Sequence, residues 1–134
     1  MIALDTNVLV RYIVQDDTAQ AKKAAALIES RCTSESPGFV DVVVLCELVW
    51  VLETAYGYGR DIVARVVRQL LGTAELAVAS ADQAWTALRA YESSSGDFAD
   101  YLIAIRNRDA GCTATFTFDK KAAAAAIGMF ELIK

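Results

Sequence analysis

Residues 42–52 run Val42-Val43-Val44-Leu45-Cys46-Glu47-Leu48-Val49-Trp50-Val51-Leu52, an apolar stretch interrupted only by Glu47. Such a stretch is stable only when most of it is buried, inside the fold or against another chain. It is too short for the ~20 residues that cross a bilayer. The β-branched start at 42–44 favours a strand. The apolar character continues past Glu47 to Glu53, however, and that is too long for a strand. Asp41 stands at an N-cap position and Gly57 at a C′ position, so the sequence predicts a helix over about 42–56.

Around this helix the chain alternates between short apolar runs and helical patterns. A strand is expected at 2–4, ending at Asp5. Asp17 or Thr18 caps a helix to about 30, with Ala21, Ala24, Ala25 and Ile28 on one face. A turn at Ser36-Pro37-Gly38 leads to a short strand at 39–40. Gly59 precedes a helix over 61–71 with Ile62, Val66, Val67 and Leu70 inward, and a strand follows at 75–79. A helix over 81–91 carries Trp85 and Leu88. The loop 93–96 opens a helix over 97–109 with Gly111 at its end. A strand at 112–117 runs out to Asp119, an Ala-rich helix covers 120–127, and a last strand covers 130–133. Strands separated by helices pair in parallel with right-handed crossovers. The expectation is one α/β domain over 1–134, with helices on both faces of a central, mainly parallel sheet.

Composition narrows the chemistry. The net charge is −4, so there is no overall basic footprint for nucleic acid. The chain contains no His, which removes His-Ser and His-Cys catalytic pairs and His-ligated zinc. Cys32, Cys46 and Cys112 are odd in number and lack metal spacing; they are expected to be buried free thiols of a reducing cytoplasm. With neither a signal peptide nor a membrane-length run in the sequence, a cytoplasmic location without membrane contact is expected. No phosphate-cradling Gly-rich pattern occurs.

What remains is carboxylates. In parallel α/β sheets sites form beyond the carboxyl ends of strands. Asp5 and Asp119 stand at two such ends, Glu47 interrupts the apolar helix, and Asp97 and Asp100 share a face one turn apart at a helix start. Converging carboxylates repel one another unless a cation joins them. A hard, oxygen-preferring ion such as Mg²⁺ or Mn²⁺ meets that need, and can polarise a phosphoryl oxygen without any His. Each acid also has an ordinary reading: Glu47 as a solvent-facing helix residue, Asp97 and Asp100 as first-turn acids, Asp119 as a cap, and Asp5-Thr6-Asn7 as an Asx turn. The functional reading rests on their joint placement.

The same segments resemble a known family. Ile2-Ala3-Leu4-Asp5-Thr6-Asn7-Val8-Leu9-Val10-Arg11, the Glu47 helix, Asp97-Phe98-Ala99-Asp100-Tyr101-Leu102-Ile103-Ala104 and Thr115-Phe116-Thr117-Phe118-Asp119-Lys120 resemble, in order, the motifs of PIN-domain ribonucleases. They are most similar to those of the VapC toxins of bacterial type II toxin–antitoxin pairs. The resemblance implies a three-layer α/β/α fold, Mg²⁺- or Mn²⁺-dependent endoribonuclease activity, a VapB-type antitoxin and a homodimer. It makes Asp5, Glu47 and Asp100 the metal-site acids, Asp119 a fourth, more variable one, and Asp97 an extra acid found in some members. Asn7 and Thr117 match polar positions that line the family's site. Tyr101 departs from the pattern, since a small residue is common after the third acid.

On this reading Asp5 and Asp100 hold a divalent ion, Glu47 and Asp97 position or deprotonate the attacking water, and Asp119 completes the set. Because the acids repel RNA, Arg11, Lys120 and Lys121 are candidates to hold phosphate, whereas Arg106 and Arg108 read as ordinary surface charge. Trp50, Leu52, Tyr56, Tyr58, Ile62, Val66 and Leu70 are candidates for a groove taking a helical antitoxin segment, with core as the competing role. Two other functions compete with the nuclease: another metal-dependent phosphohydrolase, and a PIN-like domain that binds RNA or protein without cutting.

Overall fold

The computed structural model describes residues 1–125 and 128–134. Ala126 and Ile127, the end of the helix expected over 120–127, lie outside the described residues. The chain divides into two compact units, Met1–Ala81 and Asp82–Lys134.

The first unit contains α1 (Thr6–Val14), α2 (Thr18–Arg31), β1 (Gly38–Val40), α3 (Val42–Thr54), α4 (Arg60–Leu71) and β2 (Leu76–Val78). β1 and β2 pair in parallel, with Phe39 opposite Ala77. The strand expected at 2–4 is reduced to a parallel bridge between Ala3 and Phe39. Two hydrogen bonds hold it: Phe39 N–H to the Ile2 carbonyl at 2.7 Å and Leu4 N–H to the Phe39 carbonyl at 2.9 Å. Gly38 allows this approach, since a Cβ there would stand 2.7 Å from Cys32 Sγ and 3.0 Å from Leu4 Cδ1.

Helix α1 was not expected. Asp5 caps it and Gln15 ends it in the left-handed region at φ 60°. Its signal lies in Thr6, Leu9 and Val10, the buried face of a helix with spacing i, i+3, i+4. Helix α2 starts at the expected cap, Asp17, whose carboxylate accepts from Gln20 N–H at 3.0 Å. In α3, capped by Asp41, the side chains of Leu45, Leu48, Val49 and Leu52 are buried. The helix nonetheless keeps a solvent-facing stripe of Val43, Glu47 and Trp50, with Trp50 65% exposed.

Helix α4 buries Val67 and Leu70 as expected but not Ile62. Val63, Ala64, Val67 and Leu70 are buried, Val66 is half-buried and Ile62 is exposed. Two apolar rows, 62/66 and 63/67/70, compete for the core, and the longer row, reinforced by Ala64, takes it.

The second unit contains α5 (Ala81–Ser93), α6 (Phe98–Asp109), β3 (Thr115–Thr117), α7 (Lys120–Ala125) and β4 (Phe130–Leu132). β3 and β4 are parallel, with Phe116 opposite Glu131. The core includes Leu88, Tyr91, Phe98, Tyr101, Leu102 and Ile105. The rings of Tyr91 and Phe98 meet edge to face at 6.0 Å, one on each side of the 93–96 loop. Such pairs contribute about 0.5–1.5 kcal/mol beyond burial.

The three cysteines are free, but only Cys32 is buried; Cys46 is half-buried and Cys112 exposed. The expectation of three buried thiols is corrected. Cys46 borders the exposed stripe of α3, and Cys112 lies in the turn that ends α6, where its N–H donates to the Asn107 carbonyl. Among the described residues no helix is long and apolar enough to cross a membrane.

Candidate active site

In the first unit Thr6 links two of the predicted acids. Asp5 precedes α1 with extended backbone, and its Oδ1 accepts from Thr6 N–H at 2.8 Å. The hydroxyl of Thr6, which is buried, donates to Glu47 Oε1 at 3.2 Å, across 41 residues of sequence. One residue thus orients the Asp5 carboxylate through its backbone and the Glu47 carboxylate through its side chain. The sequence reading did not single out Thr6. Its signal was a hydroxyl residue on the buried face of α1, immediately after a strand-end acid. Glu47 is exposed, as its ordinary reading expected, yet it has this specific partner.

In the second unit the charges of Asp97 and Asp119 act on Asp100. Asp97 occupies the N-cap position of α6, but its side chain makes no capping bond. Asp100, one turn later, is half-buried. Burial first, then the negative charges of Asp97 and Asp119, hold its carboxyl above the ordinary carboxylate range. Asp119 does cap: its Oδ1 accepts from Lys121 N–H at 2.9 Å and Ala122 N–H at 3.1 Å, at the start of α7. Thr117 supports the turn, its hydroxyl accepting from Asp119 N–H at 2.9 Å. The capping role weighed for Asp119 is therefore present and that weighed for Asp97 absent, while Asp5, weighed as an Asx turn, accepts from the Thr6 N–H at the start of α1.

The other predicted residues divide. Asn7, Lys120 and Lys121 are exposed. Arg11 is held by neighbours: it donates to Gln20 Oε1 at 2.6 Å, to Asp16 Oδ1 at 3.2 Å and to the Tyr56 hydroxyl at 3.3 Å. Tyr56 donates in turn to Asp16 Oδ2 at 3.0 Å. That bond, more than the Arg11 charge, draws the Asp16 carboxyl below its usual range. Arg106 contacts Gln83, in keeping with its surface reading. Of the proposed groove residues, Leu52 and Leu70 are buried, Tyr56 packs on Tyr58 at 5.9 Å, and Trp50 is exposed. Phe116 and Phe118, which the sequence reading did not weigh, are 62% and 79% exposed just before Asp119.

Within the second unit, Asp97, Asp100 and Asp119 offer carboxylate oxygens, donors of the kind a hard cation takes, and Asp100 carries the cost of burial and of the two neighbouring negative charges. Among the described residues no three His, Cys, Asp or Glu side chains are grouped tightly enough to enclose a metal ion.

The described elements are short parallel strands and helices that carry acids at or near their ends. The chain belongs to the PIN domain family, whose model matches residues 2–128. No curated protein matches the chain. Its helix-rich structure with short parallel strands is consistent with the three-layer α/β/α fold of that family. Family membership makes it a nuclease-type protein; PIN domains are generally hydrolases that use divalent metals.

Proposed function

We propose that this protein is a Mg²⁺- or Mn²⁺-dependent endoribonuclease, acting as one PIN domain over residues 1–134, and the toxin of a VapC-type toxin–antitoxin pair. The observation that carries the reading is the Asp5–Thr6–Glu47 relay, in which a single buried threonine orients a strand-end acid and the acid of an otherwise apolar helix.

Asp5 and Asp100 are assigned as principal metal ligands, with Asp119 completing the set. When bound, the ion would supply Lewis acidity at a phosphoryl oxygen and lower the pKa of a water. Glu47, held by Thr6, and Asp97, uncommitted to capping, are assigned to orient that water and accept its proton. In-line attack on phosphorus breaks the bond to the 3′ oxygen, leaving a 3′-hydroxyl and a 5′-phosphate. RNA offers both phosphates for exposed Lys120 and Lys121 and bases for the exposed rings of Phe116 and Phe118.

For the antitoxin, the first unit offers a cavity of about 890 Å³, whose lining includes Tyr12, Ile13, Ile28, Val66, Leu70 and Leu76. The lining is mixed, with Glu29, Thr33, Gln69 and Glu75 beside these apolar residues, and so offers an amphipathic helical segment both apolar and polar contacts. A homodimer is part of the proposal and is testable by light scattering.

The deciding experiment incubates total bacterial RNA with wild type or Asp5→Asn, in Mn²⁺ and in EDTA, and maps new 5′ ends. Discrete 5′-phosphate ends, lost in the variant and in EDTA, are expected. Ends carrying 2′,3′-cyclic phosphate would overturn the mechanism, and no wild-type-specific ends would favour a binding domain that does not cut.

A further inference from the structure

Tyr101 is the residue at which the sequence departs from the family pattern, and the second unit gives it a definite task. It is 1% exposed. Its hydroxyl accepts from the Gly96 N–H at 3.0 Å and donates to the Ala125 carbonyl at 3.3 Å. Gly96 is buried, and a Cβ there would lie 2.7 Å from the Tyr101 oxygen, 2.8 Å from its Cζ and 3.1 Å from Ala125 Cβ. Three segments meet at this point: the loop before α6, the first turn of α6 and the last turn of α7.

The acids sit on those segments. Asp97 follows Gly96, Asp100 precedes Tyr101, and Asp119 caps α7. An N-cap carboxylate ordinarily fixes the entry of its helix by accepting a first-turn N–H. Asp97 makes no such bond. The entry of α6 is fixed instead by the phenol, which leaves the Asp97 carboxylate available. The same phenol holds α7 through the Ala125 carbonyl.

We propose that Tyr101 is a positioning residue for the metal site, its hydroxyl fixing the start of α6 against α7 and so setting Asp97 and Asp100 relative to Asp119. The inference rests on the proposed function, since it gives these acids a cation to hold. Partners one shell out from metal ligands typically change metal affinity ~10–100-fold when removed.

The test uses the full chain as wild type, Tyr101→Phe and Leu88→Val, the last a core change on α5 in the same unit. Mn²⁺ affinity is read by electron paramagnetic resonance of the free ion, Gly96 N–H exchange by NMR, and cleavage as a function of Mn²⁺. In Tyr101→Phe the Gly96 amide should lose protection, Mn²⁺ should bind about tenfold more weakly, and the Mn²⁺ needed for half-maximal cleavage should rise by the same factor. Leu88→Val should stay within about twofold of wild type. Gly96→Ala, which displaces the same hydroxyl without removing it, should repeat the result and serves if Tyr101→Phe does not fold. Unchanged Mn²⁺ affinity in whichever variant folds, or an equal loss in Leu88→Val, overturns the inference and leaves the nuclease reading standing. A wild type that binds no Mn²⁺ overturns both.

Discussion

Replacing Thr6 by Val separates what its hydroxyl does for the fold from what it does for Glu47. The two side chains share a shape, so the packing beside Leu9 and Val10 is kept and only the donor is lost. A hydrogen bond to a charged group contributes about 1.5–3 kcal/mol. Here the bond is long, 3.2 Å, and its acceptor is exposed. Water replaces the donor at Glu47, and no buried polar atom is stranded, because the hydroxyl goes with the substitution. The cost to stability should therefore lie near ~1 kcal/mol or below, a fall in Tm of roughly 3–5 °C for a chain of this size. Catalysis should suffer more: a carboxylate that loses its orienting partner misplaces the group it activates, and an error of ~1 Å can cost ~100-fold in rate. Urea unfolding and kcat/KM on a mapped RNA site, measured together, check this. Thr6→Ser, which keeps the donor, should retain most activity while losing some packing. Wild-type cleavage by Thr6→Val, with the expected small loss of stability, would refute the relay. A loss above ~3 kcal/mol would show instead that the hydroxyl is structural.

Asp100→Asn should stabilise the metal-free protein at neutral pH. Because the folded carboxyl is held above its unfolded value, its favourable contribution is complete below the ordinary carboxylate range and is lost as pH rises through the raised value; the urea midpoint of wild type, but not of the variant, should reflect that loss on going from about pH 4 to pH 7. Asp17→Ala should cost α2 about 1 kcal/mol by urea unfolding while leaving RNA cleavage unchanged, since its carboxylate accepts only a helix-start amide. A Lys120→Ala, Lys121→Ala double variant should lower the slope of log affinity against log salt for single-stranded RNA by about 1–1.5, measured in EDTA, whereas Arg11→Gln, whose guanidinium is already engaged, should leave it nearly unchanged.

The sequence was most legible where a short-range rule decides the outcome. The caps Asp17, Asp41 and Gly59 fall where the composition placed them, because a cap depends on a few neighbouring residues. Helix α1 escaped notice because its β-branched residues resemble a strand continuing from 2–4, while burial of Leu9 and Val10 decides for helix. On α4 Val67 and Leu70 were placed correctly and Ile62 was not, because two apolar rows were available and only tertiary packing chooses between them. The acids were proposed from strand ends and helix starts. Their individual conditions were not, because those arise from residues distant in sequence: Glu47 meets Thr6, and Asp100 feels Asp119. The phenol of Tyr101 lies beyond any local rule, since it joins Gly96 to Ala125.

The double duty of Asp5 and Asp119 has an evolutionary consequence. Each carboxylate that could serve chemistry also begins a helix through its Oδ1. Asparagine caps about as well as aspartate, and alanine does not. Aspartate and asparagine codons differ at a single nucleotide. One point mutation at either position should therefore yield a folded chain lacking a site charge, so a silent form is readily reached by mutation without passing through an unfolded one.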